Sequence, residues 1–497
     1  MKVIKRDGRI VDYDRNKILI AIEKANNEVL DTKEQASKDD IKTITNYIEK
    51  TGKKRILVED MQDIIEQKLM EIGKYELAKK YIVYRYTRAL VRKSNTTDET
   101  ILGLIRNQNK KENKEEKSKL ETAMQRDCIA GEVSRDLTKR LLLPEKISKA
   151  NEEGRLYFHN SDHFIGPILN YCVTDVKDML YNGTVINDIQ ISSPKGFSKA
   201  CNILTQIIAQ VGSNIYGIQY IDLSFLGLFL RKSKENYEKE LEEIFDKKTE
   251  KIQEHTEKLL ENELKNGVQI LKYQLKTLNT VNGKPAKVIL YLDLNQEKEF
   301  LEENKKIKSE LLKQMQDEIS EEKYKISEKF NQGIVSINLP QIAIIADEDE
   351  KNFYKILDER LELCKEALLC RHYQLLGTIS DISPILWQNG AIARLEKGEK
   401  IDKLLYSKYS SLSLGYIGTS EMAEIMKKDG NIEEKNKFVL NVIKNLKETI
   451  EKWKKETNIG FVLDGHPPEN VGVKFALKDK ERYGIIENVT DKGYYTN

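Results

Sequence analysis

Residues 158–175, "FHNSDHFIGPILNYCVTD", hold side chains whose types suit chemistry. They include one thiol, Cys172, and three possible metal ligands or proton carriers, His159, Asp162 and His163. A cysteine can bind a metal, act as a nucleophile or give up a hydrogen atom, and histidine and aspartate can bind metals or move protons. The residues alone leave three interpretations of Cys172 open: a metal ligand, a group in radical or nucleophilic chemistry, or a core residue.

The cysteines are too scattered for a familiar zinc site. The chain has five of them, at Cys128, Cys172, Cys201, Cys364 and Cys370. No Cys-x-x-Cys pair occurs, which argues against a site of four thiolates. Isolated cysteines of this kind usually serve as small buried side chains. We therefore predict no metal site in this chain.

The composition predicts a protein that neither binds nucleic acid nor crosses a membrane. The chain has 497 residues, enough for two or three domains, and its 83 basic and 81 acidic residues leave a net charge of +2. That balance gives no basic footprint for nucleic acid. No apolar run approaches the roughly 20 residues that cross a bilayer, and the start, "MKVIKRDGRI", lacks the apolar segment of a signal peptide. The expected location is the cytoplasm.

The first 93 residues are expected to form a small αβ unit. The stretch "KVIKRDGRIVDYD" predicts two strands, Val3–Lys5 and Arg9–Tyr13, joined by an Asp-Gly turn. Asp14 should then cap a helix. A second helix should start near Val58, and a third, "KYELAKKYIVYRYTRALVRK", should end near Lys93.

The rest of the chain divides into a linker and a larger domain. Residues 94–120 are rich in Lys, Asn and Glu and predict a linker with one short helical piece. Residues 121–497 alternate amphipathic helices with short apolar strands, which favours an α/β core. The run "GIVSINLPQIAII" predicts a buried strand closed by Pro340, and the charged segments 232–266 and 296–329 predict exposed helices beside the core.

The N-terminal unit resembles the ATP-cone, a nucleotide-sensing domain at the start of many ribonucleotide reductases. The matching residues are Val3, Lys5, Arg6, Asp7, Gly8, Arg9 and Lys17, followed by "YELAKKYIVYRYTRALVR" as the closing helix. The resemblance implies that ATP or dATP binds here as an allosteric effector, at Val3, Lys5, Arg6 and Lys17. Several cations converging on a triphosphate fit that expectation.

The larger domain resembles the anaerobic (class III) ribonucleoside-triphosphate reductases. The family-like blocks are "RDCIAGEVSRDLTKRLLLPEKISKANEEGRLYFHNSDHF", "NYCVTDVKDMLYNGTVIN", "ISSPKGFSKACNILTQIIAQVGSNIYG", "FNQGIVSINLPQIAI", "ISPILWQNGAIARL", "SLSLGYIGTSE" and "KDKERYGIIENVTDKGYYTN", in the family's order. The expected fold is an αβ ATP-cone followed by an incomplete α/β barrel of the glycyl-radical type. In complete relatives that barrel has about ten strands in two halves.

The resemblance also implies a radical oxidoreductase. A radical-SAM activase generates a glycyl radical, which passes to a cysteine; that thiyl takes a hydrogen from the ribose of a ribonucleoside triphosphate, and a second cysteine helps to reduce the intermediate to the deoxy product. Cys172 stands at the position of that second, substrate-facing cysteine. Asn331 matches a polar residue near the ribose, or is only a turn residue at the start of a strand. His159, Asp162 and His163 are expected in structural roles. Complete relatives are homodimers and carry zinc.

Three departures from the family pattern bear on activity. The segment before "FNQG" contains no cysteine, whereas the family carries its thiyl cysteine there in a Gly-Cys-Arg loop. The chain stops at "VTDKGYYTN", without the family's four zinc-binding cysteines or its radical glycine, so it is expected to be truncated and internally deleted. "DGHPPENVGVKF" puts two prolines, which lack N–H donors, where a helix start would suit phosphate.

These departures leave three interpretations of function. In the first interpretation the chain is a fragment or an internally deleted form of a reductase that supplies dNTPs. Alternatively, it is a catalytically inactive, nucleotide-binding paralogue that regulates a full-length reductase. In the third interpretation it is a binding protein with a decayed barrel and no part in dNTP synthesis.

Overall fold

The structure is a computed structural model. It describes residues 2–4, 10–27, 29, 31–50, 55–105, 121–245, 250–295, 297–315, 319–320, 328–465 and 470–496. The chain separates into two compact units, Met1–Asn109 and Lys110–Asn497. Each unit is described by itself.

The first unit is a three-stranded sheet with helices packed against it. Its strands are β1 (Lys2–Ile4), β2 (Ile10–Asp12) and β3 (Arg55–Leu57), and its helices are α1 (Arg15–Asn26), α2 (Lys38–Lys50), α3 (Val58–Glu71) and α4 (Tyr75–Ile105). The order is β2-β1-β3, with β1 antiparallel to β2 and parallel to β3. Asp14 caps α1 as predicted, because its carboxylate accepts a 3.0 Å hydrogen bond from the backbone N–H of Asn16.

The predicted end of the third helix was wrong. Helix α4 continues to Ile105 instead of ending near Lys93. The polar composition of residues 94–105 favoured a linker, but the stretch contains neither proline nor glycine before Gly103, so nothing in it breaks a helix that has already started. Residues 106–120 lie outside the part of the chain that the structure describes.

The second unit is a larger α/β assembly. Its strands are β4 (Leu156–Phe158), β5 (Tyr171–Val173), β6 (Thr184–Ile186), β7 (Ile189–Ile191), β8 (Gln219–Asp222), β9 (Val288–Tyr291), β10 (Ile319–Ser320), β11 (Phe330–Asn338), β12 (Ser410–Ile417) and β13 (Gly460–Asp464). Its helices are α5 (Thr122–Leu137), α6 (Glu145–Glu152), α7 (Val176–Tyr181), α8 (Phe197–Gly212), α9 (Gly227–Phe245), α10 (Glu250–Thr277), α11 (Leu301–Met315), α12 (Leu339–Ala346), α13 (Glu350–Leu375), α14 (Pro384–Trp387), α15 (Thr419–Met426), α16 (Ile432–Thr457) and α17 (Val471–Tyr483), and one turn of π-helix, Thr138–Leu142, follows α5.

The main sheet consists of two groups of parallel strands, which run in opposite directions and are joined edge to edge. Strands β10, β9, β8 and β5 run parallel to one another, and so do β11, β12 and β13. The two groups meet where β5 pairs antiparallel with β11. Strand β4 pairs with the later half of the same β11. This arrangement of two half-sheets is the mixed α/β architecture that the sequence predicted.

Strand β11 is the centre of the second unit. All nine of its residues are buried, as its run of β-branched residues predicted. Pro340 lies in the first turn of α12, where a missing N–H costs nothing, so the strand passes directly into that helix. A bulge between Asn331 and Gly333 shifts the register against β12.

Helix α10 was wrongly predicted as an exposed helix. Its apolar residues Leu260, Leu264, Val268 and Leu271 are buried in the core that also includes α8. The charge-rich sequence concealed this stripe, because Lys and Glu occupy the rest of the helix surface. Over the described residues, no helix has the length and apolarity to cross a membrane.

Candidate functional site

The junction between β5 and β11 carries a row of polar side chains on one face of the sheet. We call this the polar face and define it by Tyr157, His159, Tyr171, Glu328, Asn331, Ser336, Ser411 and Ser413. The pairing of the strands determines which side chains share this face, because residues opposite each other on neighbouring strands point to the same side of the sheet. Asn331 is opposite Tyr171 on one neighbour and Ser411 on the other.

Asn331 lies at the centre of the polar face and is fully buried. Its Oδ1 accepts a hydrogen bond of 2.9 Å from the Nδ2 amide of Asn170. Its own Nδ2 donates to the Oγ atoms of Ser411 and Ser413 at 3.0 and 2.9 Å. The Asn331 amide therefore links β11 to β12 and to the residue that precedes β5. A ligand could bind this amide only by replacing these internal hydrogen bonds.

Tyr171 and Glu328 form a second contact on the polar face. The Tyr171 hydroxyl donates to Oε1 of Glu328, which also accepts from Ser411 Oγ at 3.2 Å. Burial is the main cause that raises the pKa of Tyr171, and the neighbouring carboxylate adds to it. The phenol therefore stays protonated and acts as a hydrogen-bond donor at neutral pH.

Cys172 lies on the opposite face of the sheet from Asn331. It is paired with Phe330 and Gln219, and its side chain belongs to the apolar core beneath α8. Its Sγ is 3.6 Å from Thr174 Oγ1, which donates to Gln219 Oε1, and Gln219 in turn donates to the backbone of α8. Burial raises the pKa of the Cys172 thiol to about 12. The structure thus does not bring Cys172 and Asn331 together.

The three other chemical side chains of the opening motif lie in separate environments. His159 is buried, with Nε2 2.7 Å from Ser336 Oγ. Asp162 pairs with Arg135 at 3.3 Å, and the ring of His163 stacks on Tyr216 with centroids 5.1 Å apart. Among the described residues, which include all five cysteines, no three His, Cys, Asp or Glu side chains form a group that could hold a metal ion. The described residues therefore offer no ligand set for zinc.

The first unit brings two of the four predicted nucleotide contacts to one cavity. Val3 and Lys17 line a space of about 150 Å³, together with Asp12, Asp14 and Gln62. Lys17 Nζ is 3.8 Å from Asp14 Oδ2, and the Lys17 side chain is 72% exposed, so the ammonium can reach an incoming phosphate. Lys5 and Arg6 lie outside the described residues, as do residues 466–469 before α17.

Sequence reasoning missed Tyr171, Glu328 and Tyr157. A signal for Tyr171 existed, because side chains alternate along a strand and Tyr171 and Cys172 must face opposite sides. Which of the two faces the polar side depends on the pairing with β11, more than 150 residues away in the chain. One sequence does not fix that register.

Comparison with known proteins gives a family for both units. The family model of the anaerobic ribonucleoside-triphosphate reductases matches residues 112–327 and 318–497. The ATP cone domain matches residues 1–90. Together the two matches span nearly the whole chain.

Named relatives agree with these matches. The anaerobic ribonucleoside-triphosphate reductase of Haemophilus influenzae is 30% identical over 577 aligned positions, which cover 100% of this chain and 81% of the relative. The Escherichia coli enzyme of the same name is 28% identical over 100% of this chain and 80% of its own length. The alignment to the first is longer than the 497 residues of this chain, so it contains gaps here.

A solved structure shares the fold. The anaerobic ribonucleotide reductase of Thermotoga maritima, solved with dATP and CTP, superposes with a TM-score of 0.57 at 17% identity, over 76% of this chain and 74% of that one. By these matches, the chain belongs to the anaerobic ribonucleoside-triphosphate reductase family and carries an ATP cone domain.

Proposed function

We propose that this chain works in the anaerobic reduction of ribonucleoside triphosphates to dNTPs, under control by ATP and dATP. The observation that carries the proposal is the junction of β5 and β11, where two parallel half-sheets meet and place a row of mostly buried polar side chains on one face. Family membership over both units supports it. The location proposed is the cytoplasm.

The cone is the proposed effector site. Lys17 would bind a phosphate of ATP or dATP, Val3 would contact the nucleoside from β1, and Lys5 and Arg6 would add positive charge. The open cavity beside Lys17 supports this assignment. The sequence placed the cone at 1–93, a linker at 94–120 and the barrel at 121–497. Because α4 continues to Ile105, we propose that the cone extends to Ile105 and that the barrel starts at residue 121.

In the catalytic role, the chain would reduce the ribose itself. Cys172 would supply the reducing thiol and Asn331 would hold the ribose, in a homodimer activated by a radical-SAM enzyme. Two observations weigh against this assignment: the Cys172 thiol faces the core beneath α8, and the Asn331 amide is occupied by internal bonds. Catalysis would require β5 to change its register, since a shift by one residue exchanges the two faces.

A regulatory role is the second candidate, and the cysteine positions favour it. Cys172 faces the core, Cys201 lies on α8, Cys364 and Cys370 lie on α13, and Cys128 lies on α5. None of these five thiols, all of which the structure describes, belongs to the polar face. In this role the chain would bind effectors and alter the rate of a full-length reductase by joining it in a mixed dimer.

Product formation separates the two roles. The purified chain is incubated without oxygen with activase, S-adenosylmethionine, a reductant, CTP and ATP, and dCTP is measured with and without a full-length reductase. Product from the chain alone, lost in Cys172→Ser and kept in Cys201→Ser, establishes the catalytic role. No product alone, but a changed rate of the full-length enzyme that responds to dATP, establishes the regulatory role. If the chain does neither, the proposed function is wrong.

A further inference from the structure

Residues 485–496, which follow α17, cover one edge of the main sheet. We call them the lid segment. Strands β11 and β12 run parallel and therefore end at the same edge, at Asn338 and Ile417. The backbone N–H of Gly418, directly after β12, donates to the carbonyl of Thr496 at 2.8 Å. In parallel α/β sheets ligands usually bind outside the carboxyl ends of the strands, so the lid segment covers an edge that suits a ligand.

Two buried carboxylates hold the lid segment in place. They are Asp479 on α17 and Glu421 on α15. The Tyr495 hydroxyl donates to Oδ2 of Asp479 at 3.0 Å. The backbone N–H and the Oγ1 hydroxyl of Thr496 donate to Oε2 of Glu421 at 3.1 and 2.8 Å. Neighbouring residues of the lid segment therefore bind both carboxylates.

Asp479 also joins the lid segment to the end of β11. Its Oδ2 accepts from Asn338 Nδ2 at 2.8 Å, and its Oδ1 accepts from Gln341 Nε2 at 2.7 Å. Asn338 is the last residue of β11, and Gln341 lies in the first turn of α12. One carboxylate thus connects the strand end, the next helix and Tyr495, so a movement of the lid segment changes the surroundings of the strand end.

The burial of these carboxylates costs free energy that opening of the lid segment would return. A buried carboxylate loses its hydration, and hydrogen bonds replace that hydration only in part. Burial is the main cause that raises the pKa of Asp479, although the hydrogen bonds from its neighbours lower it. The lid segment itself adds Val489 and Tyr495 to a small apolar cluster beside α17. Its opening therefore exposes little apolar surface and lets water reach both carboxylates.

We propose that the lid segment opens as one unit, while the rest of the second unit stays folded, and that it uncovers the carboxyl edge of β11 and β12. The bonds of Asp479 and Glu421 to Tyr495 and Thr496 set how often it opens. The proposal goes beyond the function proposed above and does not depend on it, because both roles stand if the lid segment stays closed.

Hydrogen–deuterium exchange of the full chain, read by mass spectrometry, tests the proposal. Two reporter amides lie on opposite sides of the closed contact: Thr496 in the lid segment, and Gly418, which donates to its carbonyl. Opening exposes both amides, whereas fraying of residues 485–491 alone leaves Gly418 protected. We expect the peptides that contain the two reporters to exchange together, and faster than peptides from β11 or α16.

Tyr495→Phe should make the lid segment open more often, because it removes one hydrogen bond to a buried charged group. We expect it to raise the exchange rates of both reporters about tenfold or more and to leave β11 and α16 unchanged. Thr496→Val removes the hydroxyl that donates to Glu421 and should raise both rates in the same way. Tyr494→Phe is the matched control, since it makes the same substitution at a neighbouring side chain that is 51% exposed. It should leave both reporters unchanged.

Three results would overturn the proposal. If Gly418 exchanges no faster than β11, or if Tyr495→Phe accelerates β11 equally, this edge opens only when the whole second unit unfolds. If Tyr495→Phe accelerates Thr496 but not Gly418, the segment frays at one end and does not open as a unit. If Tyr494→Phe has the same effect as Tyr495→Phe, the bond to Asp479 does not hold the segment.

Discussion

We expect iodoacetamide to label Cys128 in the folded chain and to leave Cys172 unmodified. The alkylating species is the thiolate, and with a pKa of about 12 only about one Cys172 thiol in 10⁴ is ionised at pH 8. The side chain is also fully buried beneath α8, whereas Cys128 is exposed on α5. We therefore expect the labelling rates of the two cysteines to differ by a factor of a thousand or more. Peptide mass spectrometry after timed labelling gives both rates in one sample.

Denaturant provides the control for that experiment. In urea all five cysteines should react at similar rates, which shows that the peptide of Cys172 is detected. Labelling of Cys172 in the native chain at a rate close to that of Cys128 would contradict the placement of this thiol. It would mean that β5 is paired in another register and that Cys172 reaches the polar face.

We expect Gly333→Ala to lower the free energy of unfolding of the second unit by about 3 kcal/mol. A Cβ at this position would lie 2.1 Å from Cδ and 2.6 Å from Nε of Arg371, and the backbone has φ of +153°, which L residues rarely adopt. Arg371 cannot move aside easily, because it is buried and its guanidinium carbon lies 4.1 Å from the ring centre of Phe158. The variant must therefore push α13 away from β11.

Tryptophan fluorescence in urea measures this change without interference from the first unit. Both tryptophans of the chain, Trp387 and Trp453, are buried in the second unit. Gly377→Ala is the matched control: its φ is +79°, but a Cβ there meets no atom within 4 Å. We expect it to cost only about 1 kcal/mol. Equal losses in the two variants would show that the contact with Arg371 has no effect.

Local patterns predicted much of the fold. The Asp14 cap and the buried strand that ends before Pro340 depend on neighbouring residues only, and they are confirmed. The helix that begins at Leu339 was not predicted. The errors concern longer distances. Helix α4 passes through a polar stretch that lacks a breaker, and α10 buries an apolar stripe whose partner, α8, lies about 60 residues earlier.

The site was harder to predict than the fold, because it also depends on contacts between segments that are distant in the sequence. The residues "NYCVTD" draw attention to the thiol, but the face that each side chain occupies follows from the pairing of β5 with β11 and β8. Asn331 was singled out from the family resemblance, but its partners Asn170, Ser411 and Ser413 belong to distant segments that the local sequence does not indicate. The roles assigned to Cys172 and Asn331 stay predictions.

We conclude that this chain is a nucleotide-controlled member of the reductase family, and nucleotide binding by the cone is required in both of the roles proposed. A calorimetric titration of the full chain with ATP and dATP, repeated on Lys17→Ala and on Lys24→Ala, measures that binding. Lys24 lies on the same helix, in its last turn and outside the cavity. We predict micromolar binding of at least one nucleotide, weakened about tenfold or more by Lys17→Ala and unchanged by Lys24→Ala. No binding of either nucleotide, or equal binding by all three proteins, would contradict the claim.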